Sequence, residues 1–147
     1  ENALLRKGTA AAAGAAADAG AQAAAAGRLG LARGLFRNAV ELFESSGLAQ
    51  PSSEALRRLA LIQSQVGATE EARTLARRAR ELATDDPQLA EALLAEGVVD
   101  VLDDRLEEAL ARASRAASAL RRATGQGLAA TWAIWELGQP CTSCAPA

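Results

Sequence analysis

The stretch GATEEARTLARRAREL, residues 67–82, is rich in alanine and charge and holds no valine, isoleucine or aromatic residue, and it has two counterparts elsewhere in the chain. GRLGLARGLFRNAVEL begins at Gly27, and DRLEEALARASRAASA begins at Asp104. Laid in register from those starts, the first carries Ala32, Phe36, Ala39 and Leu42, and the second Ala72, Ala76, Ala79 and Leu82. The third carries Ala109, Ala113, Ala116 and Ala119. Steps of four, three and three residues put each set on one face of a helix. Seven residues before each start stand Gly20, Ala60 and Gly97, all small, and eleven before stand Ala16, Leu56 and Leu93. Each unit is therefore expected to be a pair of helices that touch through small side chains.

Composition agrees with an all-α class. Of 147 residues, 39 are alanine, the best helix former, while only Phe36, Phe43, Trp132 and Trp135 are aromatic and there are four prolines. The chain is long enough for one domain with a real core. Sixteen basic side chains against 18 acidic ones leave no basic field for nucleic acid or an anionic membrane. Every basic residue except Lys7 is arginine, which reads as a high-GC coding bias. The run TAAAAGAAADAGAQAAAAG, residues 9–27, is long enough to span a bilayer, but Asp18, Gln22 and three glycines among weakly apolar alanines argue for a closely packed soluble helix instead. Methionine is absent from the sequence. A processed or excised product is expected, and signal-peptide removal would favour a secreted, extracellular or periplasmic setting over a cytoplasmic one.

The units run from about 13–46, 53–86 and 90–123, and their starts lie 40 and 37 residues apart. The stretches SSGLAQPS (45–52) and TDDPQ (84–88) have turn compositions and would absorb the extra length. Asp104 followed by Glu107 suggests an N-cap; Ser53 and Asp86 are further candidate caps; Pro87 can open a helix, and Gly47 and Gly125 can close one. A large residue followed four positions later by a small one, a turn glycine, and two alanines seven residues apart resemble the tetratricopeptide repeat. Glu96 stands where that pattern is usually apolar, and Asp104 where it usually has glycine. The resemblance implies an α-solenoid of antiparallel helix pairs, wound as a right-handed superhelix over residues 1–138. The spacings between its unit starts exceed the usual repeat length of about 34 residues.

The same resemblance implies that the first helices line a concave groove for a peptide or another protein. Groove positions would then be Glu54, Arg57, Leu61, Ser64 and Gln65 in the second unit, and Glu91, Leu94, Val98, Val101 and Leu102 in the third. The matching first-unit places, Gly14, Ala17, Ala21, Ala24 and Ala25, are nearly featureless. The lysine and asparagine pairs with which some relatives grip a C-terminal carboxylate do not stand there.

Catalytic constellations are weak. Histidine is absent, which removes the commonest general base and the commonest metal ligand. Carboxylate pairs such as Glu70 with Glu71 and Asp85 with Asp86 sit at helix starts, where they complement the dipole. Neither a metal nor a cofactor is expected. Residues 128–138 read as one more helix, with Leu128, Trp132 and Trp135 on one face and Ala130, Ile134 and Leu137 on another, followed by a tail over 139–147. Cys141 and Cys144 in that tail form a C-x-x-C that admits free thiols, a disulfide within or between chains, or redox or metal work. The sequence thus predicts a non-enzymatic protein-binding scaffold and homo-oligomer, associating head to tail into a ring or filament through Trp132, Ile134, Trp135 and Leu137. An adaptor that holds a peptide or protein in its groove, and a thiol-disulfide protein, are the alternatives.

Overall fold

The computed structural model describes residues 2–124. The helix expected over 128–138, with Trp132, Ile134, Trp135 and Leu137, lies outside them, as do Gly125, Cys141 and Cys144. The described chain is all-α, with α1 over Asn2–Ala25, α2 over Leu29–Ser45 and α3 over Ala49–Gln65. α4 follows over Thr69–Leu82, α5 over Asp86–Leu102 and α6 over Leu106–Thr124. Each helix packs on its neighbours in the chain, and α3 packs on α5 as well. Among the described residues no helix is long and apolar enough to cross a membrane.

Five turns of three residues join the helices, and four share one design. In the turn after α1, the Gly27 amide donates to the Ala24 carbonyl at 3.0 Å and the Arg28 amide to the Ala23 carbonyl at 2.8 Å. The same pair of bonds recurs at Gly47 and Leu48, at Gly67 and Ala68, and at Asp104 and Arg105. This is the Schellman closure, in which a residue with positive φ answers the last free carbonyls of the helix. Gly27, Gly47 and Gly67 supply that φ at 75°, 70° and 85°, and Asp104 supplies it at 57°. Aspartate is one of the few residues with a Cβ that visits this region.

Local capping signals fare less well than the register. Asp104 does not cap α6, which starts at Leu106; it closes α5, in the place of the turn glycine. Ser53 lies a full turn inside α3, buried, and its hydroxyl donates to the Ala79 carbonyl of α4 at 2.7 Å. Its counterparts in the register are Ala13 and Ala90, so the position selects a small buried residue rather than a cap. Asp85, not Asp86, caps α5, accepting from the Gln88 amide at 2.9 Å, with Pro87 in the first turn. The extra length between units goes into helix rather than loop. Residues 49–52 form the first turn of α3, where Pro51 lacks only an amide that no carbonyl would have answered.

The faces read from the register are the ones that pack. Of the twelve aligned positions on α2, α4 and α6, all but Leu42 and Leu82 are buried. Gly20 and Ala60 are likewise buried, and a Cβ built on Gly20 would lie 3.0 Å from the Phe36 ring. One apolar core runs from α1 into α5, and a second joins Leu93 and Leu94 of α5 to Ala116, Ala117 and Ala119 of α6.

Beside the second core lies a buried ionic layer. Asp100, 1% exposed, accepts from Arg73 of α4 at 2.9 Å and from Arg112 of α6 at 2.5 Å. One turn earlier, buried Glu96 accepts from Arg112 at 2.8 Å and pairs with Arg80 of α4 at 3.1 Å. Arg73 extends the layer to Asp103 at 2.7 Å. Burial works against the Arg112 charge, but the hydrogen bond to Asp100 and the charges of Glu96 and Asp100 outweigh it and hold the guanidinium above its ordinary proton affinity. The unusual placing of Glu96 is thereby explained: two carboxylates one turn apart answer guanidinium groups from both flanking helices.

Candidate functional site

Residues of α1, α3 and α5 line two adjoining cavities. The first, about 280 Å³, lies between α1 and α3. Gly14, Ala17 and Ala21 of α1 and Pro51 and Ala55 of α3 form its walls, Phe36 and Phe43 of α2 its apolar floor, and Asp18, Glu54 and Arg58 its charged rim. The walls are small because helix pairs with alanine and glycine at the contact leave room that larger side chains would fill. The second cavity, about 310 Å³, lies between α3 and α5 and is lined by Gln50, Ser53, Glu54, Arg57, Arg58, Asp85, Pro87, Gln88 and Glu91. Glu54 and Arg58 border both.

Charges on this side are mostly answered. Arg58 donates to Glu54 at 3.1 Å along α3, and Arg57 pairs with Glu91 across to α5 at 3.4 Å. The Arg57 Nε is buried and has no hydrogen-bond partner among the described residues. Asp18 has no partner at all among them. Across both cavities, four carboxylates (Asp18, Glu54, Asp85 and Glu91) face two guanidinium groups (Arg57 and Arg58), a net charge of −2.

Of the groove positions expected from the sequence, the structure brings Glu54, Arg57 and Glu91 together in the second cavity, and Gly14, Ala17 and Ala21 in the first. Leu61 is half-buried against the main core, and Leu94 is buried in the second core against α6. Val98 is half-buried, Ser64 is buried, and Gln65, Val101 and Leu102 are exposed; none of these five lines either cavity. Sequence reasoning missed Asp18, Arg58 and the two phenylalanines as lining residues. Asp18 carried a signal, being the one charge in residues 9–27, and Arg58 carried another in its four-residue spacing from Glu54. Among the described residues no group of three or more histidine, cysteine, aspartate or glutamate side chains is placed to hold a metal.

A helical protein with a cleft along its odd-numbered helices is the class these features define. No family model, no curated protein and no solved structure matches the chain.

Proposed function

We propose that the chain is a non-enzymatic protein-interaction scaffold of the tetratricopeptide type, a right-handed solenoid of antiparallel helix pairs whose first helices face a groove for a protein segment. The observation that carries this reading is the pair of adjoining cavities that share Glu54 and Arg58 on the side of α1, α3 and α5. The repeated turn closure at Gly27, Gly67 and Asp104, and the direct packing of α3 on α5, support it. An apolar floor with a charged rim suits a short protein segment, which brings an apolar anchor and polar backbone together. Panning a random displayed peptide library on the protein tests the reading. Selected peptides should lose binding on Arg57→Ala or on Glu54→Ala, both outside the apolar core; selection of peptides indifferent to both changes would refute it.

Self-association is the second reading, favoured by apolar side chains left exposed at the start of α1 (Leu4 and Leu5) and around the α5–α6 turn (Val101, Leu102, Leu106 and Leu110).

A further inference from the structure

The beginning of α1 is built differently from the rest of the molecule. α1 has 24 residues where its partner α2 has 17. The difference of seven residues amounts to about 10 Å of helix at 1.5 Å per residue. Residues 2–8 are all exposed, and Leu4 and Leu5, 77% and 67% exposed, are the most exposed large apolar side chains among the described residues. Arg6 and Lys7 follow them directly, and neither has a partner among the described residues.

The cavity between α1 and α3 has the opposite character. Phe36 and Phe43 give it an apolar floor, small residues leave it open, and Asp18 on its rim has no partner among the described residues. Its volume of about 280 Å³ is several times the ~30 Å³ share of a water molecule, room for a branched apolar side chain. We propose that the first two turns of α1 from a second copy of the chain dock over this cavity, with Leu4 and Leu5 as anchors towards Phe36 and Phe43, and Lys7, on the same side of the helix as Leu4, beside Asp18. The proposal rests on the groove reading above and names its occupant.

Two observations select a second copy. The charges are complementary: Lys7 stands beside the anchors and Asp18 beside the cavity, and neither has a partner among the described residues. The start of α1 cannot fill the cavity that its own later turns line, because Leu5 and Gly14 belong to one continuous helix and cannot turn back on each other. Projection and cavity are different surfaces, so the contact is heterologous and propagates into a ring or a fibre.

Sedimentation over a wide concentration range, with two variants, tests this. Leu4→Ser with Leu5→Ser removes the anchors. Gly14→Leu plugs the cavity, and it should keep the fold, because a Cβ at Gly14 meets nothing within 4 Å and glycine is a poor interior helix residue. The wild-type mass should rise with concentration and fall back with added salt. Each variant alone should associate at least about tenfold more weakly, the loss usual for a removed anchor. Mixed together, the variants should form a one-to-one complex and nothing larger, since only one projection and one cavity remain intact. A wild-type chain that stays monomeric overturns the proposal and leaves the groove reading to the peptide library. Assembly lost with Gly14→Leu but kept with Leu4→Ser and Leu5→Ser overturns the occupant and supports the groove. Assembly indifferent to Gly14→Leu overturns the proposal and places self-association on another surface.

Discussion

The α3–α4 pair and the α5–α6 pair occupy the same register and solve the same packing problem with different chemistry. At three equivalent positions the former has Leu59, Gln63 and Leu75, all buried, and the latter has Glu96, Asp100 and Arg112. In the first of these pairs a single polar side chain is buried without an answer: neither the amide nitrogen nor the amide oxygen of Gln63 has a hydrogen-bond partner among the described residues. In the second, two carboxylates are buried beside the half-buried Arg112, and both are bound from two sides. A buried polar group costs stability when it stands alone and very little when its partners are buried with it. The ionic layer also differs in reach. It draws Arg73 and Arg80 from α4, so it ties the second pair to the third as well as closing the third.

The largest expected effect comes from breaking that layer. Asp100→Ala leaves Arg73 and Arg112 facing a buried gap, and removal of one partner from a buried ion pair typically costs about 3–5 kcal/mol. Urea unfolding should show the loss as a lower midpoint at unchanged slope. Replacement of the layer by apolar side chains (Glu96→Leu, Asp100→Leu and Arg112→Leu together) should recover most of it, because well-packed apolar residues commonly match a buried ion pair or exceed it by about 1–4 kcal/mol. A triple variant as unstable as Asp100→Ala would mean that the layer contributes net energy, and the equivalence of the two pairs would fail.

A smaller effect of opposite sign is expected at the orphan amide. Gln63→Met keeps the length of the side chain and removes two polar atoms from the interior, so it should stabilise the protein by about 1 kcal/mol, the lower end of the cost of an unanswered buried group. Thermal unfolding measures it directly, and a destabilised variant would show that Gln63 is better satisfied than its geometry indicates.

These contrasts also show what the sequence could reveal. Small residues at Gly20, Ala60 and Gly97, and the turn positions Gly27, Gly67 and Asp104, were legible because a repeated register constrains them three times over. Where that register and a local signal disagreed, at Asp104, the register gave the right position, and the cap read at Ser53 failed because a capping side chain is only one contributor to where a helix starts. The ionic layer was illegible for a different reason. Arg73, Arg80 and Arg112 are spaced like the charges of a solvated face, and their partners stand 27, 16 and 12 residues away from them in the chain, a separation that only packing closes. The lining of the two cavities was legible in part. Residues on α1, α3 and α5 could be placed on one side by resemblance, but the floor came from Phe36 and Phe43 of α2, which pattern alone assigns to the core.

The smallest expected effect joins the two chemistries at one carboxylate. Glu71 of α4 accepts from Arg37 of α2 at 2.7 Å, and both side chains are close to half exposed. Its carboxyl is held below the ordinary 4.5, first by the hydrogen bond from Arg37 and then by the nearby Gln63 amide, which biases it without forming a well-aligned bond. The unfolded chain therefore takes up this proton more readily than the folded one. The stabilisation is complete above about pH 4.5 and is lost as pH falls through the lower folded value. An exposed pair of this kind is worth up to ~1 kcal/mol, so Glu71→Gln should cost no more than that near neutral pH and nothing in strong acid. The Gln63→Met background sharpens the contrast. There the Glu71 carboxyl, followed by NMR titration, should move up towards 4.5 yet stay below it, because Arg37 is the larger cause. An unmoved titration would mean that the Gln63 amide is a true orphan, and its removal should then give the full gain in stability.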